Sequence, residues 1–517
     1  MGGRLMRGVV AAGHPGTVEA GASILEAGGN AFDATVAAVF AACVAEPVLA
    51  SLGGGGFLVG QRSEGKPLAL DCFVQTPRQR RAVEELDFYP ITADFGTTTQ
   101  DFHIGLGSMA TPGLVAGLFE LHGRYGLLPM TEVLAPAVQL AREGVEINPL
   151  QGYIFSIVAP IYQSTPGART LFTSDGVTML QSGDRYVNPA LSDLLENLGR
   201  DGPDLFYHGE VARQIHEASR EQGGHLHRDD LAAYRPIWRE PIARTYRGVH
   251  LLINPPPSSG GLLLAFALHL LEAQEPALAP PGSRAHVDRL VQVMELTERL
   301  RDDCQGPLDE NVLAPSSLRS YADRLLGLPP AHRGTTHVSV LDESGNAAAM
   351  TLSNGEGCGW VVPDTGVMMN NMLGEQDLNP KGFHAWPTDS RMTSMMAPTV
   401  ARWRNGRLLA LGSGGSNRLR NAILQVLVHC IDHDLPLASA VSAPRVHYEA
   451  GLLNLEGGLD ASVCQALADT GRSCQVWQDL NLFFGGAHCV ERRDGQFRGV
   501  GDPRRGGVCQ AIPRNCL

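Results

Sequence analysis

Positive charge is scarce and dispersed in this chain. Its 517 residues hold 41 lysines and arginines against 54 acidic residues, a formal net charge of −13. The densest basic groups are Arg78, Arg80, Arg81 and Arg504, Arg505. Neutralising a phosphate backbone takes a concentrated positive face, so a nucleic-acid partner is not expected. The ten cysteines are scattered. They form no C-x-x-C pair and no zinc-ligand spacing, so neither a metal nor another cofactor is expected. In a chain of this size the pattern points to reduced thiols and a cytoplasmic location. Long apolar runs are also lacking. The richest early one, "ATVAAVFAACVA" from Ala34 to Ala45, is too short for a bilayer and is flanked by Asp33 and Glu46. "MGGRLMRGVVAAGHPG" has no apolar core of a secretion signal. No membrane association is expected. Leucine heptads, internal repeats and low-complexity linkers are absent.

What remains is a chain long enough for one large layered unit. "GTVEAGASILEAGG" and "NAFDATVAAVFAACVAEP" predict two helices, the second buried. "SLGGGGFLVG" leads into an apolar strand, and "PLALDCFV" predicts its partner. Residues 78–107 are polar and turn-rich, and predict a long surface excursion. "VHLLINPPPSSGGLLLAFALHLLEA" predicts a strand, a proline-rich turn and a buried helix; "RAHVDRLVQVMELTERLRDD" predicts an amphipathic helix. After Thr335 come short strand-like runs such as "THVSVLD", "GNAAAMTLS" and "LLALGSGG". Strands flanked by helices on both sides predict an α+β class with sheets between helical layers.

The junction "RGTTHVSVLD" raises a chemical question. A threonine hydroxyl is a weak nucleophile until a base takes its proton. An N-terminal threonine carries that base itself, an α-amine of pKa about 7.7–8.0. Thr335 at the head of a strand would combine nucleophile and base, provided that the Gly334–Thr335 bond is cut. Its own hydroxyl can make the cut by attacking the Gly334 carbonyl. A tetrahedral intermediate then needs fixed N–H donors. Gly414 and Gly415 in "LGSGGSNR" follow a strand, precede a helix and expose bare backbone; the loop lacks the Lys-Ser/Thr ending of a phosphate loop. Ser394 in "DSRMTSMMAPT" lies in a loop before a strand. Asn370, Asn371 and Glu375 in "MMNNMLGEQDLNP" are suited to a substrate amine or polar head. Each of these segments alone reads more readily as a turn or strand end; their joint presence is what points to catalysis. His103 reads as structural. His337 falls on the Thr335 face of a regular strand, as a support for the nucleophile or as a packed histidine. Cys358 has no base or partner at a recognisable spacing.

In order along the chain, "GGNAFDATVAAVFAACVAEP", "LGGGGFLV", "TPGLVAGLFEL", "PPPSSGG", "TTHVSVLDESGNAAAMT", "GVMMNN", "MAPT", "GSGGS" and "GDPR" resemble landmarks of the γ-glutamyltransferase (γ-glutamyltranspeptidase) family of N-terminal-nucleophile hydrolases. The resemblance implies a four-layer αββα sandwich. It implies a precursor that cuts itself into a large chain, 1–334, and a small chain, 335–517, which stay paired as one unit. It assigns the nucleophile to Thr335, the oxyanion pair to Gly414 and Gly415, and a substrate serine to Ser394. A second hydroxyl that supports the nucleophile corresponds to Ser353 or to Thr351. Several glutamate-recognising positions depart together. The carboxylate-binding arginine is replaced by Phe73, the second substrate serine by Met395, the amine-binding aspartate by Glu375, and the glutamine near it by Met372. Arg78 and Arg80 are the nearby candidates to replace the lost cation. The expected reaction passes an acyl group from a small-molecule donor through acyl-Thr335 to water or an amine, with a donor other than γ-glutamyl. Alternatives on the same scaffold are a biosynthetic C–C bond hydrolase, a small-amide hydrolase and a non-catalytic binding protein; intact Thr335, Gly414 and Gly415 oppose the last.

Overall fold

Asn30 begins the helix Ala31–Ala45. Its side chain accepts from the amides of Phe32 and Asp33, and the Asp33 carboxylate accepts from the Asn30 amide. This reciprocal cap fixes the helix start. Every residue of the helix is buried, which suits a segment apolar on all sides. The helix Pro15–Glu26 packs along it. Contact is close because Gly21 has no side chain: a Cβ there would lie 3.1 Å from the Ala34 carbonyl oxygen and 3.3 Å from the Ala38 Cβ.

The computed structural model describes residues 7–94, 99–273, 279–303, 313, 334–379 and 381–513. Under the paired helices lies a seven-stranded sheet, in spatial order Val508–Ile512, Gly8–Ala12, Thr336–Asp342, Ala347–Ser353, Gly55–Gln61, Leu68–Cys72 and Ile237–Arg239. A six-stranded sheet faces it, in the order Gln496–Val500, Gly486–Arg493, Leu408–Gly414, Thr399–Arg402, Val249–Ile253 and Ile242–Tyr246. All neighbouring strands in both sheets are antiparallel. The helices Ser259–Glu272, Arg284–Asp303 and Leu419–Ile431 close the far side. The result is the four-layer αββα sandwich. Residues on either side of the Gly334–Thr335 bond supply strands to both sheets.

Three apolar cores separate the layers. Val338, Val340 and Met350 join the first helical layer. Leu411 and Ala487 join the second. Leu341, Ala349, Val400 and Ala410 fill the space between the sheets. The side-chain period of two explains the division. Along Thr336–Asp342, the even-numbered residues turn to the helices and the odd-numbered residues to the opposite sheet.

The excursion at 78–107 is more ordered than its polarity predicts. Tyr89–Asp94 and Thr99–Ile104 form a hairpin, and Ala93, Phe102 and Ile104 are buried in a satellite core with Phe155 and Tyr162. Its few apolar residues alternate, so a largely polar segment still buries one face.

The His337 ring sits between the sheets where the facing strand has Gly412. A Cβ at Gly412 would fall 2.3 Å from the ring. Gly412→Ala is therefore expected to destabilise the protein by about 1–3 kcal/mol, the usual range for overpacking. At Gly123, inside a helix with nothing within 4 Å of a built Cβ, alanine should instead stabilise by about 0.5–1 kcal/mol. Chemical denaturation of the two variants distinguishes packing from a general sensitivity to mutation.

Candidate active site

The register Thr336↔Leu352 and His337↔Thr351, continued by one residue, brings Thr335 beside Ser353. Both are buried, each with 5% exposure. Thr335 Oγ1 donates to the Gly334 carbonyl oxygen at 2.7 Å, and Ser353 Oγ donates to the same oxygen at 2.6 Å. The Gly355 amide donates to Ser353 Oγ at 2.9 Å, which leaves that hydroxyl's proton directed at the carbonyl. The Glu356 carboxylate accepts from the Gly334 amide at 2.5 Å. The residue before the candidate cleavage bond is thus held at both ends.

Thr351 is placed differently. It bonds to His337 Nδ1 at 2.8 Å, while His337 Nε2 contacts Ser339 Oγ at 2.8 Å. Ser339 donates to the His488 carbonyl, so it accepts from His337, and Nδ1 is left to accept from Thr351. Burial holds His337 well below its ordinary pKa, with His488 adding to the effect; the ring is neutral. Of the two candidate supporting hydroxyls, Ser353 reaches the Gly334 carbonyl. Thr351 and His337 form a polar brace between the sheets and do not line the cavity at Thr335. On the opposite face, Thr336 and Thr17 both donate to Glu46, at 2.6 and 2.7 Å. Burial pushes the Glu46 carboxyl up to about 7 despite these two bonds.

Gly414 ends a strand and pairs with Gly486. A Cβ at Gly414 would lie 2.1 Å from the Thr335 carbonyl oxygen, so only glycine allows this approach. Gly415 has φ +121°, open to glycine and strained for other residues. The chain then turns through Ser416–Arg418 into the helix Leu419–Ile431. The structure brings Gly414 against the backbone of the predicted nucleophile, while Gly415 packs on Gly485.

A cavity of about 40 Å³ opens at Thr335 and Ser353. Phe73, Met372, Met395 and Met396 give it an apolar wall; Glu375, Asp377 and Ser394 add polar groups. Phe73 stacks on Phe57, with centroids 5.1 Å apart. The Ser394 carbonyl accepts from the Ser258 hydroxyl at 2.9 Å and the Ser259 amide at 2.9 Å, so the "PPPSSGG" landmark anchors the Ser394 loop. Among the described residues no lysine or arginine lines the cavity. Arg78 pairs with Asp389 at 3.4 Å, and Arg80 lies over the Trp386 ring at 4.8 Å; neither lines the cavity. Arg391 lies behind Phe73, held by Asp71, the Phe73 carbonyl and the Tyr234 hydroxyl.

Asn371 stands behind the wall rather than in it. Its side-chain oxygen accepts from the Glu356 amide at 2.9 Å and its Nδ2 donates to the His103 carbonyl at 3.3 Å. Asn370 bridges Gly53 and Ala110. The asparagine pair fixes backbone. His103 stacks on Phe88 at 4.9 Å and lies outside the cavity. Burial pushes the Cys358 thiol up to about 12, far from a reactive thiolate. No group of three potential metal ligands occurs among the described residues, and no helix among them is long and apolar enough to cross a membrane. A larger cavity, about 260 Å³, opens around His286 and His429, but it includes none of the residues at Thr335. Sequence reading missed Glu356, which no motif singles out because its partner Gly334 becomes adjacent only on folding.

The gamma-glutamyltranspeptidase family model matches residues 17–512. An acylase proenzyme (Acylase ACY 1) from a Pseudomonas species is 32% identical over 491 residues, covering 90% of this chain and 87% of the relative. A glutathione hydrolase proenzyme from Escherichia coli is 29% identical over 536 residues, covering 97% and 91%. The crystal structure of a cephalosporin acylase from Bacillus halodurans matches with a TM-score of 0.84 and 26% identity, over 98% of this chain and 96% of that one. These matches run through both halves of the sandwich and across the Gly334–Thr335 junction. This chain belongs to the gamma-glutamyltranspeptidase family, and is an N-terminal-nucleophile enzyme of the hydrolase and acyltransferase type.

Proposed function

We propose that this protein is a self-cleaving acylase. Thr335 is its nucleophile, and its acyl donor lacks the amino-acid head of a γ-glutamyl group. The observation that carries the donor reading is the cavity wall: Phe73 stands where the family's carboxylate-binding arginine is expected, and no cation among the described residues lines the site. A ring cannot pair a carboxylate as a guanidinium fork does. The similarity to acylases agrees with this reading.

Maturation begins with Thr335 Oγ1 attacking the Gly334 carbonyl carbon. Ser353, at 2.6 Å from that carbonyl oxygen, stabilises the negative charge that forms on it. Collapse breaks the Gly334–Thr335 C–N bond, the hydroxyl proton passes to the departing nitrogen, and water hydrolyses the resulting ester. The segments 1–334 and 335–517 remain a pair, because the cut removes one peptide bond and leaves the ladders of both sheets intact. The freed α-amine then serves as the base for Thr335 in turnover. Before the cut, Gly334 occupies the place beside Thr335 and Ser353 that a donor carbonyl would take. A 40 Å³ cavity is far below the roughly 300–1,000 Å³ of ordinary ligand sites, so release of Gly334 is what admits the donor.

Thr335→Ala should remain a single band on a denaturing gel and lack turnover. Ser353→Ala should slow the appearance of two fragments by about 10²-fold, the scale of losing one oxyanion donor, with its melting temperature nearly unchanged. Thr351→Val should do the reverse: normal cleavage, with stability reduced by about 1–3 kcal/mol for a buried imidazole left without its partner. Donor choice is tested with anilides. A phenylacetyl or hexanoyl anilide should exceed a γ-glutamyl anilide by at least about tenfold in kcat/KM, a difference of ~1.4 kcal/mol. A γ-glutamyl anilide that performs as well as either would overturn the donor reading and leave Thr335 untouched.

A further inference from the structure

We infer that Arg505 is a positioning residue for the oxyanion loop: its buried guanidinium lies against the backbone of Gly414 and Gly415 and supports the negative charge that forms at Thr335. The inference rests on the Thr335 reading above. The Arg505 stem crosses Gly486, the residue paired with Gly414; a Cβ at Gly486 would meet Arg505 Cδ at 2.5 Å and Cγ at 2.7 Å. Beyond it the guanidinium reaches the glycine pair. A Cβ at Gly414 would be 3.4 Å from Nη1, and one at Gly415 would be 3.3 Å from Nη2. The same Gly414 position touches the Thr335 carbonyl oxygen, at 2.1 Å. Arg505 and Thr335 therefore flank the oxyanion loop at one point.

The charge of Arg505 is less compensated than that of its neighbours. Arg445 pairs with Asp502 at 2.6 Å; Arg504 pairs with Glu456 at 2.6 Å and with Asp502 at 3.2 Å. Among the described residues no carboxylate lies within 4.0 Å of the Arg505 guanidinium. Among the described residues it makes one long bond, Nη2 to the Leu482 carbonyl at 3.4 Å, and its Nε has no partner among them. Only 4% of the residue is exposed. Burial brings its pKa down to about 10, offset by the fields of Asp502 and Glu356, so it remains a cation at neutral pH. A buried cation without a close counter-ion is unfavourable in the resting state. Acyl transfer supplies the missing anion. As Thr335 Oγ1 bonds to the donor carbonyl carbon, its proton goes to the α-amine and the carbonyl pair becomes an oxyanion. Collapse expels the amine, which takes the proton, and the charge disappears. The cation is thus better compensated in the transition state than before or after it, which is how a fixed charge accelerates a reaction.

A structural arginine would behave otherwise. Arg505→Met keeps most of the packing and removes a buried charge, so the melting temperature should hold or rise. For the matured two-fragment variant, normalised to titrated sites, kcat should fall by about 10²-fold with KM within about twofold. Arg505→Lys should recover about tenfold of the loss. A kcat for Arg505→Met within about threefold of the parent overturns the inference. Where Arg505→Met fails to cut or fold, Arg505→Ala decides. Millimolar guanidinium should restore cleavage or turnover while urea, neutral and of similar shape, does not; equal effects of the two, or none from either, overturn the role of charge. Mass spectrometry of the acyl-enzyme separates this from the function itself. A donor fragment absent from Thr335 in the parent sinks the acylase reading. A fragment on Thr335 that forms equally fast with and without Arg505 sinks only the present inference.

Discussion

The carbonyl oxygen of Gly334, gripped by two hydroxyls, is the point on which this structure turns. Thr335 reaches it from the next residue and Ser353 from the neighbouring strand. The second contact depends on register. Antiparallel pairing repeats every two residues, so a slip of one would turn Ser353 away and bring Leu352 to the site. The register is fixed by what each face buries. Val338 and Met350 fit the helical layer, and Leu341 and Ala349 fit the space between sheets. The apolar pattern of two strands thus sets a polar contact at their ends.

The same alternation creates a difficulty that the protein resolves locally. Residues 335, 337 and 339 point into the gap between the sheets, and all three are polar. Left unpaired there, each would carry the penalty of a buried polar group. His337 answers it by bonding both Thr351 and Ser339, with Ser339 passing a bond on to the backbone of the opposite sheet. Gly412 provides the room for its ring. On the helical face Thr336 meets Glu46, whose burial favours its protonated form. The strand behind Thr335 is pinned on both faces by hydrogen bonds in dry surroundings, where such bonds are strong.

Local signals were legible in the sequence because they are local. Gly-Thr-Thr before an alternating run and a glycine pair between a strand and a helix are each written within a dozen residues. Ordered resemblance over the whole chain then gave the αββα class. Contacts made between distant segments were not legible. Glu356 is 22 residues from Gly334, and Arg505 meets Gly414 only because Gly486 pairs with it. Asn371 carries the residue type of a substrate ligand, yet its amide is taken up by the backbone of Glu356 and His103; type alone cannot separate a ligand from a brace. The strand pair Tyr89–Asp94 and Thr99–Ile104 was hidden by polar residues on its exposed face.

The cavity wall at Phe73 is backed by a buried charged cluster. A guanidinium is in fact close by: Arg391 sits directly behind Phe73. It is held by Asp71 on one side and by the Phe73 carbonyl and Tyr234 on the other, and its ring-like face stacks at 4.5 Å on Tyr234. Asp71 is wholly buried and also binds Arg239, at 2.7 Å. Drawing Arg391 forward to meet a donor carboxylate would loosen this buried cluster, and removing one partner from such a pair commonly costs about 3–5 kcal/mol. A single carboxylate at a partly wetted site does not offset that. Phe73, stacked on Phe57, also blocks the path. The cation near this pocket is committed to holding the strand end in shape, so under the proposed function recognition would fall to the apolar wall and to the acidic and hydroxyl groups of the cavity. The proposed donor, an uncharged acyl chain, is one that such a wall would desolvate without leaving a charge unpaired.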